Sequence, residues 1–334
     1  MAARTPEDGA GGGEVDMQIA SGIHRIGDHS IINAYLIEEA NELTIVDAGI
    51  AGLYRDLPKE LASMGRSIED VRALVLTHGH SDHVGFAERL RAERHVPVSV
   101  HETDAALARG EVPNPSKGFG PTKVGPLLGF LWFSLLRGGL RTRHLDEVST
   151  FGDGATLDVP GSPVVTLTPG HTPGSAVLHF RSLGALLIGD AFATYAVTTG
   201  ARGPGIAPFT ADAAQAVESL ARIEDVSSDL VLPGHGDPWT GSVQEGVRWC
   251  ASLPRRTLRA DADRRTAAAA VVAEATCAPR AEWASAGPLP GTRLGRTWTS
   301  RRRTCHPGDC VGPCPSDMPP GGGRRTTGHS PRPP

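Results

Sequence analysis

Four short segments of this 334-residue chain place histidine or aspartate where chemistry needs them. Thr77-His78-Gly79-His80-Ser81-Asp82-His83 follows an apolar run. Thr168-Pro169-Gly170-His171-Thr172-Pro173-Gly174 and Pro233-Gly234-His235-Gly236 follow others, and Gly189-Asp190 follows Leu-Leu-Ile. Each lies where an apolar run gives way to a Gly- or Pro-shaped loop, and loops on a rigid scaffold are where binding groups concentrate. His78 and His80 are two apart, so in extended chain they share a face. Asp82 and His83 then open a helix and can turn toward a neighbouring point. Five imidazoles and two carboxylates suit zinc or another first-row metal. Seven donors exceed one tetrahedral ion. They suit two ions bridged by a carboxylate and a water, a pair ~3.5–4 Å apart that can clamp a nucleophile and a developing oxyanion. His24, His29, His95, His101, His144 and His179 are isolated and read as surface or satisfied core residues.

The elements that must carry these groups are legible from periodicity. Ile31 to Ile37 and Leu43 to Val46 read as strands around a turn at Glu39-Ala40-Asn41. Ala51 to Met64 has helical spacing, with Leu53, Leu57, Leu61 and Met64 on one face. Val71 to Leu76 is a strand ending at the His-rich turn, and Ser81 or Asp82 is expected to cap a helix to about Glu93. Val96 to Val100 is a strand and His101 to Arg109 a short helix. Val164 to Leu167, Ala176 to Phe180, Ala185 to Ile188 and Leu230 to Leu232 are further strands. Ala211 to Ile223 is expected to be a helix with Ala214, Val217, Leu220 and Ala221 inward. Val243 to Leu253 is another, and the Ala-rich Arg255 to Ala278 extends helical structure. Strands first, then a strand–helix mixture, indicate two sheets with helices outside.

The chain divides unevenly. Residues 1–16 are a Gly-rich, acidic leader without a basic-then-apolar signal. Residues 17–278 form the folded domain. Residues 279–334 carry 9 basic and 3 acidic residues with 11 Pro and 9 Gly, and read as a disordered tail. The tail's Arg301-Arg302-Arg303 and Arg324-Arg325 could touch an acidic partner, and Cys305, His306, Cys310 and Cys314 could hold zinc, although paired C-x-x-C units are missing. Its abrupt composition also resembles GC-rich coding sequence read out of frame. Net charge is -4 overall, so nucleic acid is not an expected partner. The longest apolar run, near Leu127 to Leu136, is too short to span a bilayer, and no membrane partner is expected. Only Cys250 and Cys277 precede residue 279, which fits a reducing cytoplasm.

The motifs, in their order from Ile23 to Leu253, resemble those of the metallo-β-lactamase superfamily. That resemblance implies an α+β fold, the four-layer αββα sandwich, with metals at one edge between the sheets. It assigns His78, His80 and His171 to one metal, Asp82, His83 and His235 to a second, and Asp190 to the bridge. Val46-Asp47-Ala48-Gly49 resembles the family's V-D-x-G turn, which makes Asp47 a partner for a ligand histidine. The cofactor implied is two Zn2+, with Fe or Mn as alternatives. A water between two such ions has its pKa lowered from 15.7 to about 7. Attack on an ester, thioester or lactone carbonyl follows, with Asp82 relaying a proton to the leaving group. Asp190 points away from β-lactam cleavage, since the β-lactamases of this superfamily carry Ser or Cys there. His80 argues against the oxygen reductases, which carry Glu. Three readings stay open: the dinuclear hydrolase, an iron persulfide dioxygenase, and a binding protein on the same fold.

Residues 110–143 form an insertion between the first two metal motifs. Its apolar part, with Phe130, Trp132 and Phe133, is expected either to cover the site and receive an acyl or other apolar substrate, or to pack on the domain or in a homodimer contact. Arg137, Arg141 and Arg143 read as a solvated basic face or a carboxylate contact. Tyr195, five residues past Asp190, is expected to donate to the oxyanion, as a Tyr near this point does in some lactonases.

Overall fold

The computed structural model of the protein describes residues 18–252 apart from Asp28 and Lys117. The expected leader, the Ala-rich helix at 255–278 and the Arg- and Cys-bearing tail lie outside those residues.

The first half builds one seven-stranded sheet with helices. In chain order it has β1 (Gln18–Ala20), β2 (Ile23–Arg25), β3 (Tyr35–Glu39), β4 (Glu42–Val46), α1 (Leu57–Ser63) and β5 (Val71–Val75). Then come α2 (Ser81–Val84), α3 (Ala87–Arg94), β6 (Val98–His101), α4 (Ala105–Ala108), α5 (Val124–Leu136) and β7 (Ser149–Phe151). The strands lie side by side in chain order, antiparallel up to the β3–β4 pair and parallel from there to β7. The second half adds β8 (Val164–Leu167), β9 (Ala176–Phe180), β10 (Ala185–Gly189), the hairpin β11 (Ala193–Ala196) and β12 (Ala201–Gly205), α6 (Ala213–Ser219), β13 (Leu230–Pro233) and α7 (Val243–Ser252). Its sheet runs β13-β10-β9-β8, with β10 and β13 parallel and the other pairs antiparallel.

Alternation along the strands makes the layers. Leu43 and Ile45 of β4 pack outward with Leu57, Leu61 and Leu90 of the first helical layer. Val46 turns inward with Tyr35, Ile37 and Val75 to meet Leu178, Phe180, Leu187 and Leu232 of the second sheet. Leu186 and Ile188 face the other way, onto Leu220, Val243, Val247 and Cys250. Both sheets are therefore covered on both faces, which is why their strands read as continuous apolar runs. The αββα sandwich is the observed architecture.

The strand ends explain the site's location. β5 and β10 both finish at one edge of the sandwich, and β13 ends beside β10 because the two are parallel. β9 starts there because it runs antiparallel to β10. Backbone bonds stitch the sheets at this edge, from Ala176 N to Thr77 O and from Asn33 N to Gly234 O.

Several elements differ from sequence expectation for identifiable reasons. The strand expected from Ile31 begins only at Tyr35, since Asn33 spends its side-chain amide on Pro233 O and Gly236 O. The helix expected over 51–64 is a 3-10 turn at Ala51–Arg55 followed by α1. Pro58 has no N–H for a continuous ladder and suits the first turn of a new helix. The helix expected from Ser81 to Glu93 is broken at Gly85, and His80 rather than Ser81 or Asp82 precedes its first turn. On α6 the buried residues are Ala216 and Ser219, then Leu220 and Ile223, while Ala214 and Ala221 are exposed. Asp212 sets that phase by accepting from Ala214 N and Gln215 N. β12 reads Ala-Arg-Gly-Pro-Gly, which carries no strand propensity, and so gave no signal.

Gly85 is the position where the chain permits least. Its φ is +27°, and a Cβ would stand 2.0 Å from Gly49 O and 2.3 Å from Ala48 O. Gly65 also has positive φ, at +66°, but has open space around it. Gly85→Ala is expected to destabilise by more than about 2 kcal/mol, and Gly65→Ala by about 1 kcal/mol. Thermal melting of the two variants checks this, and equal losses would refute the backbone clash.

Candidate metal centre

The four motifs converge at the sheet edge. Each of three groups offers donor atoms within 4.8 Å of one another: His78, His80 and His171; Asp82, His83 and His235; and His78, His83 and Asp190. Asp190 joins the first two groups. Its Oδ2 lies 3.3 Å from His171 Nε2 and 3.3 Å from His235 Nε2, and its Oδ1 lies 3.6 Å from His83 Nε2. Asp82 Oδ2 is 3.5 Å from His235 Nε2.

Local structure aims each ring. His80 has extended backbone and its carbonyl accepts from His83 N and Val84 N, so the one-turn helix α2 brings the His83 ring against His78, with centroids 3.9 Å apart, and Asp82 toward His235. The outward nitrogens are anchored. Thr77 Oγ1 donates to Asp47 and so accepts from His78 Nδ1, 3.1 Å away. Thr210 Oγ1 donates to Ala207 O and accepts from His171 Nδ1 at 2.9 Å. His83 Nδ1 donates to Asp47 Oδ2 at 2.8 Å, and His235 Nδ1 donates to Ile31 O. In all four rings the partner on Nδ1 turns Nε2 inward, and on His78 and His171 it leaves Nε2 with a lone pair.

Four of the inward atoms have no protein partner of their own. His78 Nε2, His80 Nε2, His83 Nε2 and Asp190 Oδ1 are buried without a hydrogen bond. Such atoms are rare and costly in a folded protein. His80 Nδ1 and His171 Nε2 stand 2.9 Å apart. Three carboxylates, Asp47, Asp82 and Asp190, face the cluster. Unpaired lone pairs converging beside carboxylates are what divalent cations require, so the residues present fit two ions.

The two histidine groups differ electrostatically. Burial holds His78, His80 and His171 below the ordinary imidazole range, His171 down to about 3, so all three present neutral lone pairs at pH 7. Burial also opposes charge on His83, but Asp47 and Asp190 outweigh it and push its pKa up to about 9. His235 is raised well above its ordinary value, with Asp190 and Asp82 overcoming the same penalty. Asp190 and Asp82 are held below the usual carboxylate range, because the surrounding histidines outweigh their burial.

A residue that sequence reasoning missed ties two ligand loops together. Asp104, wholly buried, accepts from Gly79 N at 2.8 Å, Gly174 N at 2.7 Å and Thr172 Oγ1 at 2.6 Å. It clamps the His78–His80 loop to the His171 loop. Its only sequence signal is an aspartate three residues past β6, the parallel neighbour of β5.

Comparison with known proteins agrees with this geometry. The family profile described as the Metallo-beta-lactamase superfamily matches residues 27–235. The chain belongs to the metallo-β-lactamase superfamily. Among curated members, it is 30% identical over 245 residues to the probable metallo-hydrolase YflN of Bacillus subtilis (strain 168), covering 67% of this chain and 87% of that one. It is 31% identical over 224 residues to the uncharacterized protein Rv2581c of Mycobacterium tuberculosis (strain ATCC 25618 / H37Rv), covering 62% and 87%. The superfamily fold is shared with the family protein TTHA1429 from Thermus thermophilus, with a TM-score of 0.51 and 22% identity over 70% of this chain and 79% of that one. It is also shared with the MIM-2 metallo-beta-lactamase, with a TM-score of 0.53 and 18% identity over 72% and 88%.

The other sequence-selected residues fall in different places. Asp47 stands against His83 and Thr77. Tyr195 lies on β11 with the Arg202 guanidinium 5.5 Å over its ring, and no described contact joins it to the metal-ligand cluster. Phe130 and Phe133 lie on the inner side of α5, and Trp132 on the outer side.

Three outcomes follow. The His78, His80 and His171 group needs no proton displaced, whereas His83 and His235 must each lose one. Metal titration is expected to fill the second position more weakly at pH 6 than near pH 9, with up to about two protons released on filling it at pH 6 and fewer near pH 9. Equal affinity of both positions across that range would refute the difference. Asp104→Ala is expected to cost about 3 kcal/mol in melting and to weaken both ions. Asp47→Asn is expected to weaken mainly the His83 position, by roughly 10–100-fold in a chelator competition.

Proposed function

We propose that this protein is a metal-dependent hydrolase that cleaves an ester, thioester or lactone bond at a dinuclear zinc centre. His78, His80 and His171 would hold one ion, Asp82, His83 and His235 the other, and Asp190 would lie between them. The observation that carries this is the convergence of buried, partnerless ligand atoms around Asp190. When bound, such ions activate water and polarise a carbonyl oxygen. YflN's description as a probable metallo-hydrolase supports the same reading.

The chain's own residues divide the remaining work. Asp190 is almost wholly enclosed, but the Asp82 side chain is 22% exposed, so Asp82 is the ligand carboxylate that can exchange a proton with a leaving group. Asp47 fixes the ring of His83. A cavity of about 430 Å3 opens beside His80 and Ser81, lined also by Leu107, Val112, Pro113 and Glu111, which suits a small acyl group. Above the His171 loop, Phe209 adopts φ +64°, a strained conformation for an aromatic residue. Its ring meets Phe119 at 5.3 Å and Phe130 at 6.3 Å. These contacts support an aromatic cover over the edge and an apolar portion in the substrate.

Elemental mass spectrometry of protein purified without added metal is expected to find two zinc ions per chain. A panel of esters, thioesters and lactones is then expected to show turnover, with Asp82→Asn weakening the second ion and, with metal added to saturation, lowering kcat by roughly 10²–10⁴-fold. One iron per chain with oxygen uptake on glutathione persulfide would replace this reading with the dioxygenase. No metal, and none taken up on titration, would leave a binding role.

A further inference from the structure

The outer face of α5 is apolar and faces solvent. Leu128, Leu131, Trp132, Leu135 and Leu136 are exposed along it, Trp132 by 62%, and Leu140 just beyond by 85%. A 13-residue helix is about 20 Å long. Among the described residues no helix is long and apolar enough to cross a membrane. The sequence expectation of no membrane partner followed from that shortness, which bears on spanning and not on contact with a surface.

Charge decides what this face meets. Residues 112–145 contain Lys117, Lys123, Arg137, Arg141 and Arg143 and no Asp or Glu. At the C-terminal end of α5 a cleft of about 460 Å3 is lined by Arg55, Arg89, Arg137, Arg141 and Arg143 against a single acid, Glu93. Arg89 is paired with Glu93 and Arg137 with Asp56. Arg55, Arg141 and Arg143 have no ion pair among the described residues. Leu135 and Leu136 line the same cleft, so the cationic and apolar surfaces are continuous.

We propose that α5 and this arginine cleft dock on an anionic lipid surface, with the leucines and Trp132 in the interface and the arginines on lipid phosphates. α5 carries no charge of its own, but its exposed Trp132 and leucines lie beside a cationic cleft, and apolar side chains next to basic residues suit an interface with anionic lipid. A soluble anion would satisfy the arginines but leave the apolar face in water. A second copy is disfavoured, because a two-fold pairing of this face sets Lys123 against Arg141 and Arg143, or each cationic end against itself, with no acid in the segment. The inner face of the same helix carries Phe130 onto Phe209, beside the Thr210 that anchors His171. Docking would therefore set the site's cover against the lipid.

The test is co-sedimentation of the full metal-loaded chain with vesicles of phosphatidylcholine alone or mixed with phosphatidylglycerol. Binding to the mixed vesicles only is expected. Arg141→Glu with Arg143→Glu, and separately Leu131→Ser with Leu136→Ser, are each expected to lower partitioning at least about tenfold, whereas Arg141→Lys with Arg143→Lys retains it. Unchanged thermal melting shows that the variants fold. No binding overturns the proposal, as does binding that neither pair weakens, which would assign it to the Arg-rich residues 279–334. Inorganic phosphate bound without vesicle partitioning would assign the cleft to a soluble anion. A dimer in light scattering that Leu131→Ser with Leu136→Ser dissociates would assign the face to a second copy. Either result also overturns the proposal.

Discussion

Lone pairs held together out of water govern this structure. Desolvating polar atoms without partners costs free energy, and the ligand cluster concentrates that cost at one edge of the sandwich. A chain relaxes such an arrangement unless the rings are fixed from behind. Four of the five histidines are fixed in this way, His78 by Thr77, His83 by Asp47, His171 by Thr210 and His235 by the Ile31 carbonyl. The charge state is part of the same compromise. Protons on His83 and His235 partly neutralise the metal-free carboxylates, and cations would replace them.

The sandwich supplies the rigidity that this requires. Each sheet is buried on both faces, so the strand ends bearing His78, Asp190 and His235 cannot shift without disturbing a packed core. Asp104 and Asn33 extend that rigidity across loops. Asp104 locks the loops after β5 and β8 to one another, and Asn33 locks the β2–β3 connection to the His235 loop. Gly85 allows the chain to leave α2 against the Ala48 and Gly49 carbonyls, which keeps His83 on Asp47.

Around this fixed edge the insertion is built differently. α5 is held by few anchors, Lys123 N to Thr198 O at one end and Gly52 N to Arg137 O at the other. Its inner residues are only half-buried and its outer ones are exposed. A rigid centre beside a lightly fixed α5 accords with the proposed aromatic cover over the site edge.

The sequence by itself determined the ligand types, their chain order and most of the strands that carry them. Metal ligands next to strand ends are local features, and alternating or continuous apolar runs report burial directly. Helix limits were less legible, because Pro58, Gly85 and Asp212 act through single backbone contacts that periodicity averages away. Only the tertiary structure decided how the ligands are grouped around Asp190. It also placed Asp104, 25 residues from Gly79 and 70 from Gly174, between two loops. The two sides of α5 and the arginine cleft were likewise invisible, since Arg55 and Arg89 meet Arg141 only once the chain has folded. Long-range contacts of this kind depend on which surfaces the layers bring together, and no local pattern of residue types encodes that.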